Sequence, residues 1–373
     1  MKKYDWLIVG SGLFGAIFAH NAVKAGKSVL VIERRKKVGG NIRCEQFNGV
    51  TVHKYGAHIF HTNNKKNWDF VNDFSPLTPI VHSPVAITKS GRALCLPFNM
   101  YTFTSLWSDV TTPEEARERI AEQAMRHKTD SPKNLEEHAL SSVGEDIYEE
   151  LIKGYTEKQW GRPCSELPVE IMKRIPIRFT FDNSYFNCKY VGVPYNGYNP
   201  LIEHLLLGAD IRTDVDFLQN RTEYADIAKN ILFTGCIDEF FNFAIGKLEY
   251  RSLFFEEKVL QLNESQGCSV VNYTSADVPY TRIIEHNAFA PNKYYEEIVI
   301  SKEYPCQYSG KNEPYYPVID NKNRELYAAY RKIAEAYPNI HFGGRLGLFE
   351  YLDMDDTITK AQDMSDDLIY GEN

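Results

Sequence analysis

The strongest constraint on the fold lies at the N-terminus. An apolar run, Trp6-Leu7-Ile8-Val9, leads into Gly10-Ser11-Gly12-Leu13-Phe14-Gly15. Ala16-Ile17-Phe18-Ala19-His20-Asn21-Ala22-Val23 follows, with apolar residues at helical spacing, and Gly26 predicts the helix end. Ser28-Val29-Leu30-Val31-Ile32-Glu33 then reads as a second strand closing on an acid. This is a β-turn-α-β unit of the usual length. Gly-x-Gly-x-x-Gly is weak alone, but a strand before it, a helix after it and an acid at the next strand end make it a dinucleotide fingerprint. Gly10 permits the tight turn, Gly12 lets a pyrophosphate approach the backbone, and Gly15 lets helix and strand pack closely. The helix start at Leu13 and Phe14 offers unpaired N–H groups to the phosphates. Glu33 suits unphosphorylated ribose hydroxyls, which points to FAD or NAD and away from NADP.

Two further segments favour FAD. Arg34-Arg35-x-x-x-Gly39-Gly40-Asn41 follows Glu33 directly and resembles the second phosphate-contacting stretch of glutathione-reductase-type FAD proteins. Near the C-terminus, Ile340-His341-Phe342 runs into Gly343-Gly344-Arg345, followed by Asp353, Met354 and a helix. A helix N-terminus there would stabilise negative charge on a reduced flavin.

Composition excludes several classes. The 373 residues hold 42 Lys+Arg against 50 Asp+Glu, a net charge of −8, which argues against a general nucleic-acid surface. No run approaches the roughly 18 apolar residues that span a bilayer, and the N-terminus does not read as a signal peptide, so a cytoplasmic location is expected. The seven cysteines include no Cys-x-x-Cys pair, so they read as reduced structural thiols and no metal is expected. His58 and His61 are closely spaced, but no acid or cysteine completes a ligand set.

The middle of the chain changes character. Thr112-Pro113-Glu114-Glu115 is a capping box opening a helix to about Arg126. Further helix starts are expected at Ser131-Pro132 and at Gly144-Glu145-Asp146. Residues 246–311 carry β-branched and aromatic runs, among them Leu248–Phe255, Val270–Thr274 and Ile298–Tyr304, which read as antiparallel strands. Helical patterning returns at Arg324–Ala336 and Asp355–Met364. The expected fold class is α/β, a Rossmann-like FAD-binding domain with an inserted helical bundle and an antiparallel β-sheet domain. The expected borders are 1–65, 195–245 and 312–373 for the discontinuous FAD domain, 99–165 for the helical bundle, and 66–98, 166–194 and 246–311 for the sheet.

The stretch Lys54-Tyr55-Gly56-Ala57-His58-Ile59-Phe60-His61-Thr62 resembles the signature of the UDP-galactopyranose mutases, and agreement continues along the chain. It includes Gly154-Tyr155-Thr156-Glu157-Lys158-Gln159-Trp160-Gly161, Lys173-Arg174-Ile175-Pro176-Ile177-Arg178-Phe179 and Asn183-x-Tyr185-Phe186. It also includes Leu248-Glu249-Tyr250-Arg251-Ser252, Pro279–His286 and Glu313-Pro314-Tyr315-Tyr316-Pro317. The pattern is that of the bacterial branch, whose members carry an FAD domain, a helical bundle and a six-stranded antiparallel sheet.

The resemblance implies a non-redox flavoenzyme that interconverts UDP-galactopyranose and UDP-galactofuranose for cell-surface polysaccharide biosynthesis. FAD must be reduced, and its N5 is the nucleophile at the anomeric carbon. By resemblance Arg174 and Arg282 hold the diphosphate, with Arg174 on a closing loop. Tyr185, Tyr316 and Tyr351 are further phosphate donors, Tyr155 stacks on uracil, and Trp160 and Arg251 belong to the substrate site. His61 lies against the flavin and is expected to act in catalysis with Arg174 and Arg282. The expected cofactor set is Gly10, Gly12, Leu13, Phe14, Gly15, Glu33, Arg34, Gly40, Asn41, His58, His61, Gly344, Arg345, Asp353 and Met354. His82 departs from the family, standing where many members carry an asparagine near the substrate. The C2 substituent of the sugar therefore stays open, with UDP-N-acetylgalactosamine as a second candidate substrate. A homodimer is expected. A flavin-dependent amine-oxidase-type enzyme, or a nucleotide-sugar binder without catalysis, are the competing readings.

Overall fold

The computed structural model describes residues 3–174, 176–290 and 292–371, without the side chains of Lys173 and Arg174. Its N-terminal unit is built on a five-stranded sheet in the order Asp210–Thr213, Val29–Glu33, Tyr4–Val9, Ala228–Phe233, Ile340–Phe342. All four pairings are parallel. Such a sheet is covered on both faces, so its central strands carry continuous apolar runs. Leu7, Ile8 and Leu30 through Ile32 are fully buried accordingly. The helix Leu13–Lys24 packs on one face with the helix Met354–Ser365 and Asn199–Leu205. The other face is covered by Phe217, Phe240, Tyr250 and Tyr330, the last from the helix Asn321–Ala334.

Residues 100–166 form mainly helices around a separate core of Phe103, Trp107, Leu135, Ile147 and Tyr148. The capping box is in place: Thr112 accepts from the Glu115 N–H, and Glu115 accepts from the Thr112 N–H. The helix expected from Ser131-Pro132 begins instead at Leu135, because Asn134 caps it by accepting from the Glu137 N–H. The break expected at Gly144 exists as a kink (φ +80°) within the Leu135–Ile147 helix, after which a π-helical stretch, Tyr148–Lys153, leads into Gly154–Trp160.

The large sheet has seven strands in the order Tyr316–Pro317, Tyr250–Gln261, Glu297–Gln307, Arg282–Glu285, Val270–Tyr273, Val85–Ile87, Ala93–Cys95. Five of its pairings are antiparallel. Val270–Tyr273 and Val85–Ile87 run parallel, so the sheet is mixed, and it has one strand more than the family resemblance implied. The short outer strands Val85–Ile87 and Ala93–Cys95 come from the segment before the helical unit, too short for strand patterning to show. Among the described residues no helix is long and apolar enough to cross a membrane.

Candidate active site

The C-terminal ends of the parallel strands open onto a cavity, the usual place for a ligand in such a sheet. Gly10 follows the Tyr4–Val9 strand with φ +105°, and a Cβ there would lie 2.1 Å from Thr234 Oγ1. Gly12 then caps the Leu13–Lys24 helix and approaches Gly40, where a Cβ would stand 2.7 Å from Gly12 Cα. Two glycine-rich segments thus form one bare backbone cradle. Glu33 closes its strand on the cavity wall, 7% exposed. Its Oε2 accepts from the Ser11 N–H (2.9 Å) and hydroxyl (2.7 Å), and its Oε1 from the Arg35 N–H (2.9 Å). A carboxylate has about four acceptor sites, so one lone pair on Oε1 remains for a hydroxyl. Arg34 and Arg35 both reach Glu313, at 2.9 and 3.0 Å, while Arg35 Nη1 is buried and meets no acceptor. A bare cradle, an acid with one free acceptor site and an unmet guanidinium N–H fit an anionic dinucleotide.

Every residue expected at the cofactor except His61 lines this cavity: Gly10, Gly12, Leu13, Phe14, Gly15, Glu33, Arg34, Gly40, Asn41, His58, Gly344, Arg345, Asp353 and Met354. Val215–Leu218, Thr234–Cys236, Glu239, Pro314 and Tyr315 line it too. Sequence reasoning missed these residues. They sit in loops after strands far along the chain, and only the strand order reveals their proximity. Asp353 caps the Met354–Ser365 helix by accepting from the Asp356 N–H (3.0 Å), so that helix points its N-terminus at the site.

A second cavity adjoins the first, sharing Asn41, His58, Tyr315, Arg345, Asp353 and Met354. Its walls come from the N-terminal unit, the helical unit and the large sheet. Arg282 opens the Arg282–Glu285 strand, and its Nε and Nη2 each lie 2.7 Å from Glu303 Oε2. Burial opposes the charge on Arg282, but the buried Glu303 carboxylate outweighs it and holds the guanidinium protonated. Arg345 donates to carbonyls, Leu352 O from Nε at 3.1 Å and Tyr315 O from Nη1 at 3.1 Å, and lies 5.4 Å from the rings of both Tyr316 and Tyr351. Those two phenols stack on each other at 5.4 Å and 13°. Tyr155 and Tyr185 line the same space. Burial pushes the Tyr155, Tyr185 and Tyr316 phenols up, so they remain neutral donors.

His61 and His82 line this cavity and both stack with Phe186, the His61 ring 3.9 Å from it and the His82 ring 5.7 Å. His61 Nδ1 lies 3.6 Å from Cys188 Sγ, and His82 Nδ1 lies 3.1 Å from Ser269 Oγ. Burial lowers both imidazoles, His82 to about 3, so they are neutral near pH 7. His58 Nδ1 lies 2.8 Å from the Gly56 carbonyl, which can only accept. The proton is therefore on Nδ1, and Nε2 is left as an acceptor. Leu96, Phe98, Leu151, Asn272 and Thr274 line the cavity as well.

Arg282, His61, His82, Tyr155, Tyr185, Tyr316 and Tyr351 thus come together in one cavity. Trp160 and Arg251 line neither cavity. Trp160 packs against the helical core, and Arg251, 6% exposed, donates to Gln159 O (3.0 Å) and Gln307 Oε1 (2.9 Å) beneath it. Arg174 ends the turn Val169–Arg174, and its side chain lies outside the described residues.

A Rossmann-like dinucleotide-binding unit joined to a second cavity of arginines and phenols defines a dinucleotide-dependent enzyme class. The pattern for NAD(P)-binding Rossmann-like domains matches residues 8–74, and that for UDP-galactopyranose mutases matches residues 150–351. The chain belongs to the UDP-galactopyranose mutase family. It is 39% identical to a probable UDP-galactopyranose mutase of Klebsiella pneumoniae, over 99% of this chain and 96% of the relative. It is 37% identical to a dTDP-fucopyranose mutase of Escherichia coli, over 95% and 96%. A crystal structure of reduced UDP-galactopyranose mutase superposes with a TM-score of 0.78 at 14% identity, covering 100% of this chain and 95% of that one. A putrescine oxidase variant shares the fold more distantly, with a TM-score of 0.57 at 14% identity and 99% coverage of both chains.

Proposed function

We propose that this chain converts UDP-galactopyranose to UDP-galactofuranose and back, with FAD bound in the first cavity and the nucleotide sugar in the second. The observation that carries this reading is the second cavity: Arg282 and Arg345 with the phenols of Tyr155, Tyr185, Tyr316 and Tyr351 stand beside the dinucleotide site, suited to a diphosphate leaving group. When bound in reduced form, FAD would supply a nucleophilic nitrogen, N5, and no net oxidation would be needed.

The chain's own groups do the rest. Arg282, held in place by Glu303, presents its remaining N–H groups to the diphosphate. The phenols of Tyr155, Tyr185, Tyr316 and Tyr351 are donors that add no charge, so UDP can depart and be recaptured. Arg174 is proposed as the second diphosphate-binding arginine, from the flanking turn. Tyr155 with Leu151 offers the flat, apolar surface that a pyrimidine base needs. Neutral His61 and His82, packed about Phe186, face the sugar and the flavin without placing a cation beside the carbon that becomes electron-poor. All seven cysteines are free, which supports action in the reducing cytoplasm.

One alternative has direct support. The E. coli relative that acts on dTDP-fucopyranose is nearly as similar as the K. pneumoniae one, 37% against 39% identity. The two sugars differ at C6, hydroxyl against hydrogen, and the nucleotides at the base methyl and the ribose 2′-hydroxyl. His61, His82 and Asn272 put polar groups on the cavity wall, which favours the hydroxylated sugar, because a site that pairs a hydroxyl rejects its absence. Parallel kcat/KM measurements on UDP-galactofuranose, its 2-acetamido counterpart and dTDP-fucofuranose test the assignment. A preference for dTDP-fucofuranose would replace it.

A further inference from the structure

Lys158 projects from the short helix Gly154–Trp160, one turn beyond Tyr155. Its Nζ donates to three backbone carbonyls, Tyr273 O at 2.9 Å, Ser275 O at 2.9 Å and Val278 O at 2.8 Å. Among the described residues no carboxylate lies within ion-pair distance of it. A lysine satisfied by carbonyl dipoles alone is unusual for a half-buried ammonium, and burial lowers it to about 8.

The three carbonyls belong to one turn. That turn joins the Val270–Tyr273 strand, which brings Asn272 to the second cavity, to the Arg282–Glu285 strand, which begins with Arg282. Thr274, in the same turn, also lines the cavity. The seam is tight elsewhere as well. Thr274 Oγ1 donates to Glu150 O at 2.7 Å, and a Cβ on Gly154 would lie 2.3 Å from Thr274 O. The helix that presents Tyr155 and the turn that presents Arg282 are therefore fastened together behind the cavity, with Lys158 as the principal tie.

We infer that Lys158 is a positioning residue for the nucleotide end of the site, fixing the spacing between Tyr155, at the base, and Arg282, at the diphosphate. It touches neither ligand. The inference rests on the reading of the second cavity as a nucleotide-sugar site. Its consequence is a split in kinetic effects. Uniform binding of the nucleotide weakens when the spacing relaxes, whereas the chemistry at the flavin edge is remote.

The test uses flavin-loaded enzyme. Lys158→Met is expected to raise the dissociation constant for UDP and the KM for UDP-galactofuranose about tenfold, with kcat within about twofold of wild type. Lys158→Ala leaves space for a small ammonium ion among the three carbonyls, and added ethylammonium should restore at least half of the lost UDP affinity. Flavin content reports that each variant is folded. If Lys158→Met does not fold, Lys158→Gln, which keeps two donors, serves in its place with an expected loss of about threefold. Unchanged UDP affinity in the folded variant, a fall confined to kcat, or an alanine variant indifferent to ethylammonium would overturn the inference. Wild-type enzyme that itself fails to bind UDP would instead overturn the reading of the cavity.

Discussion

Replacing Gly40 by alanine separates backbone strain from ligand exclusion. Gly40 adopts φ +54°, a left-handed conformation that costs an L-residue roughly 1–2 kcal/mol. The added methyl would also stand 2.7 Å from Gly12 Cα, where ordinary contact begins at 3.4 Å. Two backbone segments must therefore part by several tenths of an ångström, and both line the cradle meant for the pyrophosphate. Each N–H bond to a charged phosphate oxygen contributes about 1.5–3 kcal/mol, so misplacing two weakens FAD binding by about 3–6 kcal/mol. At 1.4 kcal/mol per decade that is at least about a hundredfold. Gly26 supplies the control: it has φ +74° but open space within 4 Å. Gly26→Ala pays the strain alone and should lower stability by about 1 kcal/mol while binding FAD normally. The assay is titration of deflavinated protein with FAD, followed by flavin fluorescence, alongside the thermal midpoint. FAD affinity within threefold of wild type in Gly40→Ala, or an equal loss in Gly26→Ala, would show that the Gly12–Gly40 approach does not shape the FAD cradle.

Three further outcomes follow from the same geometry. Arg282→Met strands the buried Glu303 and should cost about 3–5 kcal/mol in urea unfolding, whereas Arg282→Met with Glu303→Leu should regain most of that stability and none of the activity; equal stability of the two variants would contradict the pairing. Tyr316→Phe and Tyr351→Phe should each weaken UDP binding by about 0.5–1.5 kcal/mol, read by calorimetry, with flavin content unchanged. Acid should unfold the protein early. Burial lowers His58 to about 4, His82 and His286 to about 3, and His53 well below its ordinary value. Their folded-state values lie below the unfolded value near 6.5, so this stability is full above about pH 6.5 and is lost as pH falls toward 3. Each fully linked histidine steepens the loss by about 1.4 kcal/mol per pH unit, and unfolding free energy that stays flat between pH 6.5 and 5 would count against neutral burial of these rings.

The sequence shows the cofactor end of this molecule more plainly than the substrate end. Gly10, Gly12, Gly15 and Glu33 lie within one local unit whose spacing has a physical meaning, so the cradle is legible without a structure. Val215–Leu218 and Thr234–Cys236 complete the same cavity, yet nothing in those residue types announces it. Their role comes from parallel strand order, a long-range property. The phenols of the second cavity are legible only through family resemblance, because an isolated tyrosine reads as core. Arg251 stands in a matching motif, and folding places it beside Gly161, where it binds Gln159 and Gln307 and lines neither cavity. The parts played by Glu303 and Lys158 are not legible in the sequence for the opposite reason. Each acts through a partner, Arg282 or a backbone turn, that only folding brings near.

A bound, reduced flavin is proposed to serve a ring contraction without net redox. Incubating the purified, flavin-loaded protein with UDP-galactofuranose, with and without dithionite, tests it most directly. UDP-galactopyranose is expected in the reduced sample alone, with the flavin still reduced at the end. Equal conversion in both samples, or flavin oxidised in step with product, would contradict it.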